Sequence, residues 1–283
     1  MQAEDDWGQG GSTLVVAFEG WNDAGEAAST AVRALREQLG LVVISELEPE
    51  DYFDYQFNRP VLTVDDRGER VIAWPSVALS GPLDGAEGVH VLLGTEPSRG
   101  WKTFTEEVLD AISVAGIDRI VFLGAMLADV PHTRPISVFA SSESAAVRER
   151  FHLERSSYEG PVGIISVLAD AAERSGIPTV SIWASVPHYV HNAPSPKATL
   201  ALIERLEEFV EVRVDRGSLE ADAEAWVRGI DELASDDDDM TAYIEQLEQA
   251  RDTVDSPEAS GDAIAEEFER YLRKHDDDTP PGA

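Results

Sequence analysis

Three short segments hold the residues whose types could do chemistry. Glu19, Trp21, Asn22 and Asp23 follow one apolar run; Met126, Asp129, His132, Thr133 and Arg134 follow a second; Ser185, His188 and His191 follow a third. Between them they offer carboxylates, imidazoles that exchange protons near neutral pH, and a guanidinium suited to anions. For a ligand site the contact set would be Asn22, Asp23, His132, Arg134 and His188, with Arg134 on the anion. For an enzyme the catalytic candidates would be Asp23, His132 and His188, with Asp23 orienting an imidazole.

A structural account competes at each position. Asn and Asp before a helix are ordinary turn and cap residues, and a Trp such as Trp21 is more often packed or at an interface than a substrate platform. His132 and Arg134 sit in a Pro-bracketed stretch whose stiffness would hold a site or simply end a strand. His188 and His191 form HxxH, a spacing common by chance, and no metal site is expected. Gly160, Pro161, Val162 and Gly163 precede a helical pattern as an anion-binding nest would, but no GxxxxGK[ST] follows. GxSxG, GxGxxG and HExxH are also absent from the sequence, so nucleotide hydrolysis, acyl transfer and zinc proteolysis lack their signals, and no cofactor is expected. Ser80 has no evident base partner and is expected in a turn.

The elements that position these segments follow from hydrophobic patterning. From Leu14 to Phe18 the chain is apolar without alternation, the mark of a strand covered on both faces, and an Ala-rich helix follows over 25–39. Strands are predicted over 41–47, 89–93, 120–123, 136–140 and 178–184, with a hairpin formed by 61–64 and 70–74 around Asp65, Asp66, Arg67 and Gly68. Helices are predicted over 101–115, 141–151 with a Ser cap, 163–175 and 196–210, and 212–214 reads as an edge strand. Strands alternating with helices give an α/β sheet packed on both faces, made mixed by the hairpin. In such a sheet the ends of parallel strands converge, so Asp23, His132, Arg134 and His188 are expected in one neighbourhood.

Charge and length set the frame. The chain has 283 residues and a net charge of −33, which opposes binding to nucleic acid or an anionic membrane. Residues 215–283 hold 22 Asp plus Glu against 6 Arg plus Lys, net −16, which marks a compositional boundary. The expected organisation is a loose tail over 1–12, an α/β core over 13–214, an acidic helical extension over 215–275 and a disordered tail over 276–283, the last helix spanning 264–272. With no Cys, no apolar run of membrane length and an acidic start, a cytoplasmic protein is expected.

The loop Phe18, Glu19, Gly20, Trp21, Asn22, Asp23, followed by Gly25 and EAAS, resembles the proteasome assembly chaperone family, the second-subunit type and its bacterial and actinobacterial relatives. VPHTRP at 130–135, GIP at 176–178 and VPHYV at 186–190 extend the resemblance over most of the chain. It implies a three-layer α/β/α fold with a mixed, mostly parallel sheet, similar to nucleoside phosphorylases and peptide hydrolases but used for protein assembly rather than for their reactions. Protein partners and self-association are implied too, a homotrimer among the orders allowed, and the exposed-looking Tyr52, Phe53, Tyr55 and Phe57 are expected to need covering. Family members that engage proteasome rings commonly end in a hydrophobic residue, Tyr and one more. This sequence ends DDDTPPGA with its last Tyr at 271, so docking by such a tail is not expected. The competing expectation is a small-ligand binder or enzyme that uses the strand-end cluster.

Overall fold

The computed structural model describes Trp7 and residues 10–254 except 48 and 66. In chain order the elements are β1 (Ser12–Glu19), α1 (Ala27–Gln38), β2 (Val42–Leu47), the single turn α2 (Pro49–Tyr52), β3 (Val61–Val64), β4 (Arg70–Ala73), β5 (Val77–Gly81), β6 (Val89–Thr95), α3 (Trp101–Val114) and β7 (Ile117–Ala128). They continue with β8 (Val138–Ser141), α4 (Ala145–Phe151), α5 (Ile164–Arg174), β9 (Thr179–Pro187), α6 (Pro196–Val210), α7 (Leu219–Ser235) and α8 (Asp238–Val254). Seven strands form one sheet in the order β2, β5, β6, β1, β7, β9, β8. The central four, β6, β1, β7 and β9, run parallel, while β5, β2 and β8 join antiparallel.

The unbroken apolar run in β1 serves two cores. Val15 and Ala17 pack with α1 and α6 on one face, and Leu14, Val16 and Phe18 pack with α3 and α5 on the other. That is the three-layer α/β/α arrangement with a mixed sheet, and each successive β1 side chain enters an opposite layer because strand side chains alternate. Ser195 and Pro196 start α6: the Ser195 hydroxyl accepts the Ala198 N–H at 3.4 Å, and Pro at the first position loses no helical bond. The Ser cap expected for α4 is Ser144, which accepts from Val147.

Several elements differ from their sequence-based expectation. The hairpin β3–β4 forms as expected, with Asp65 Oδ1 accepting the turn N–H groups of Arg67 and Glu69, but it is a separate two-stranded sheet. The antiparallel pairings of the main sheet therefore come from β2, β5 and β8 instead. Ser80 is not in a turn: it is buried in β5 between Val43 and Val91, because the short apolar segment preceding it pairs with β6. No strand forms at 212–214. Glu207 instead holds that segment, accepting the Val214 N–H at 2.7 Å and pairing with Arg213 and Arg216. Burial alone would raise the Glu207 pKa, but these donors outweigh it and leave the carboxyl below its ordinary value.

Within the stretch expected to be loose, Trp7 is anchored: its ring packs against Phe151 and Phe209 and its Nε1 donates to the Phe209 carbonyl at 3.2 Å. Tyr52 and Phe53 are buried rather than exposed, since α2 turns them onto Phe104 and the α3–α5 core, while Phe57 is 82% exposed. The extension begins as two helices, α7 and α8; the predicted helix over 264–272 and the tail over 276–283 lie outside the described residues. No helix among the described residues is long and apolar enough to cross a membrane.

Candidate functional site

The ends of β1, β7 and β9 do converge at one edge of the sheet: Met126, Leu127 and Ala128 pair with Ser185, Val186 and Pro187, and Asp23 bridges Ala125. Asp23 faces α1. Its Oδ1 accepts the backbone N–H groups of Ala28 at 2.7 Å and Ser29 at 3.1 Å, donors that the first turn of a helix leaves free. Burial raises the Asp23 pKa, opposed by the hydrogen bonds from Ser29 and Ala28 and by the charge of Arg33. Glu19 pairs with Arg33 on α1 and accepts from Thr95. Gly25 has φ +61, and a Cβ there would stand 2.8 Å from the Ser195 Cβ, so the loop seats directly on the start of α6. Trp21 stays 64% exposed.

Asn22 belongs to a different layer. It is fully buried, its Nδ2 donates to Glu96 Oε1 at 2.8 Å, and the same oxygen accepts the Ile164 N–H at 2.9 Å. A Cβ on Gly163 would lie 2.3 Å from Asn22 Oδ1. Thus the segment before α5, which precedes its helix as an anion-binding nest would but lacks a P-loop, holds a carboxylate of the chain itself at the Ile164 N–H, supplied by Glu96.

His132 is completely buried. Tyr189 Oη accepts the His132 backbone N–H at 2.7 Å and lies 2.9 Å from Nδ1, so the phenol proton goes to Nδ1. Nε2 is then the ring N–H, and it donates to Asp231 Oδ1 of α7 at 3.0 Å. Burial holds the imidazole pKa below its ordinary value despite the pull of Asp231, which keeps the ring neutral in that tautomer. Tyr189 in turn is pushed up to about 12, chiefly by burial. Trp226 of α7 meets the His132 ring edge to face. Lys197 donates to the carbonyls of His132 and Arg134 at 2.6 and 2.7 Å and so fixes the backbone of that segment.

Arg134 and His188 meet α8. Arg134 holds Asp252 in a two-pronged pair, both bonds 2.7 Å, and lies 3.2 Å from Glu248, which also accepts from Thr133. The hydrogen bond with Asp252 raises the Arg134 pKa and lowers that of Asp252. His188 Nδ1 is 3.1 Å from Asp129 Oδ1, and Tyr243 of α8 packs edge-on against both His188 and Tyr189.

The predicted residues therefore share a sheet edge but make separate contacts. Asp23 neither orients an imidazole nor pairs with Arg134; Tyr189 and Asp231 orient His132, and α8 takes Arg134. His191 is exposed, its Nδ1 2.8 Å from the His188 carbonyl, and among the described residues no three His, Cys, Asp or Glu side chains are placed to share a metal ion. Sequence reasoning missed Glu96, Lys197, Asp231, Glu248 and Asp252. Glu248 and Asp252 carried a signal, four residues apart on one helix face in a chain with few cations to receive them.

Residues 17–234 match the PAC2 family. A PAC2 family protein from Streptomyces avermitilis is 43% identical, with a TM-score of 0.73 over 82% of this chain and 99% of that one. A proteasome-assembly chaperone homologue from Mycobacterium tuberculosis is 44% identical, with a TM-score of 0.72 over the same shares. An archaeal proteasome activator from Pyrococcus furiosus, 14% identical with a TM-score of 0.62 over 80% of this chain and 95% of that one, shares the fold. No curated protein matches the chain.

Proposed function

Because the chain belongs to the PAC2 family, we propose that it is a non-enzymatic assembly protein of the proteasome-assembly-chaperone kind, acting on protein partners as a homo-oligomer in the cytoplasm. The observation that carries this is the fate of the chemistry-bearing side chains. Asp23 caps α1, His132 is held between Tyr189 and Asp231, and Arg134 is bound by Glu248 and Asp252, so the chain's own groups take the hydrogen bonds a substrate would need. The 44% identical chaperone homologue supports the same conclusion. In this scheme Asn22, Asp23, His132, Arg134 and His188 are a frame: the first two fix the core helices, and the others seat the extension on a core that ends near residue 214.

The test is reconstitution. Purified proteasome α and β subunits from the source organism are mixed with and without the full chain, and assembled particles are followed by native mass and peptidase activity. A faster or higher yield is expected; an unchanged yield would remove the assembly role. A metabolite thermal-shift screen runs beside it. A ligand whose shift disappears in both Arg134→Ala and His132→Ala, with the fold intact, would establish a small-molecule site instead.

A further inference from the structure

The edge strand β2, the turn α2 and the segment that follows β4 border an open cavity of about 540 Å³, lined by Glu46, Leu47, Pro49, Glu50, Tyr55 and Trp74. The Tyr55 and Trp74 rings meet at 4.8 Å with their planes 60° apart, and Trp74 is left 51% exposed. Glu46 and Glu50 are exposed in the same lining, and among the described residues neither carboxylate has an ion-pair partner. Arg99 reaches Glu50 but gives its Nη2 to the backbone carbonyl, at 2.6 Å. The charged groups at His132 and Arg134 are taken up by α7 and α8, whereas these two carboxylates stand open beside aromatic faces.

The chemistry of the lining selects the occupant. An anion would meet two carboxylates and no cation, and an apolar group would strip water from them without replacing its hydrogen bonds. A second copy of the same surface brings like charges together, since residues 42–74 carry eight Asp and Glu against three Arg. A guanidinium satisfies every wall at once: its plane stacks on an indole or phenol face, its N–H groups reach a carboxylate, and its aliphatic stem lies along Leu47 and Pro49. A compact ammonium makes the ion pair but cannot also stack. Arginine held against Trp and Tyr is a combination that protein contacts favour.

We propose that the cavity between β2, α2 and the end of β4 receives an arginine side chain from a basic segment of a protein partner, an inference that rests on the partner-binding role proposed above. The probe is a labelled, amidated peptide of alternating glycine and arginine, titrated into the full chain at physiological salt and read by fluorescence anisotropy. The natural protein should bind it, bind the lysine counterpart several-fold more weakly, and leave the uncharged citrulline counterpart free. Glu46→Gln/Glu50→Gln should weaken binding about ten-fold, and Trp74→Leu, which keeps both carboxylates, about three-fold. The control is Glu149→Gln/Glu159→Gln, two exposed positions that follow β8 at the opposite edge of the sheet and remove the same charge; binding should not change. All the substituted side chains are exposed, so circular dichroism should match the natural protein, and Trp74→Leu decides alone if the glutamate pair fails to fold. No binding by the natural protein, equal binding of the citrulline peptide, or full binding by Trp74→Leu would overturn the site. So would an equal loss in the control, which would assign the affinity to the net charge of −33. Because the titration uses the isolated chain, its failure would leave the reconstitution result standing, and a failed reconstitution would leave the titration standing.

Discussion

Around His132 polar groups are buried and paired, while along β3 and β4 apolar groups are exposed and bare. The first region obeys the requirement that a buried hydrogen-bonding group find a partner, and it meets it from distant chain: Asp231 and Glu248 approach the strand ends after a separation of about 100 residues. The second violates the preference of apolar surface for cover. A fold whose polar centre is closed by its own helices, and whose apolar surface is left open, is organised for contact with macromolecules more than for a small substrate.

The contrast breaks most directly at His132. His132→Ala removes a fully buried ring and leaves the Tyr189 hydroxyl and Asp231 without it, which should cost about 2–4 kcal/mol in urea unfolding. Leu62→Ala on the hairpin should fall within about 0.5 kcal/mol in the monomer, as exposed positions do. Equal costs at the two sites would erase the distinction.

Asp23→Ala should come next, at about 1–2 kcal/mol, since two N–H groups of α1 lose their acceptor. Acid should sharpen the comparison further. His132 has a folded pKa below its ordinary 6.5, so the unfolded chain binds the extra proton first; stability from the neutral ring is full above that value and falls as pH drops through the folded pKa. Unfolding midpoints measured between pH 7.5 and 5 should decline in the natural protein and flatten over that range in His132→Asn. The smallest effect is expected for Arg134→Ala, whose exposed pair with Asp252 is worth little to the whole molecule. Global unfolding should scarcely change, whereas amide exchange along α8 should quicken several-fold; unchanged exchange there would show that Arg134 does not hold the helix.

Most of the sheet was legible because its central strands are continuous apolar runs set between helical spacings, the mark of a strand covered on both faces, whereas the similar run Val42, Val43 and Ile44 in the edge strand β2 is exposed. The strand-end convergence followed from topology. What was not legible was the other half of each hydrogen bond. Nothing local to His132 names Asp231 as its partner, because long-range pairing depends on how α7 returns across α6. Burial at Tyr52 and Phe53 depends likewise on a single turn too short to leave a periodic trace. Ser80 was misplaced because a five-residue strand ending in Ser and Gly carries the residues of a turn.

The position of β1 also governs how the molecule is made. It precedes every other strand of the sheet among the described residues, and it is the middle strand, flanked by β6 (Val89–Thr95) and β7 (Ile117–Ala128). Its apolar residues, destined for two opposite layers, have no strand to pair with until some 70 further residues are synthesised, at about 5–20 residues per second. Trp7 waits longer still, for Phe209. High contact order of this kind slows folding and leaves a sticky nascent strand unshielded for seconds.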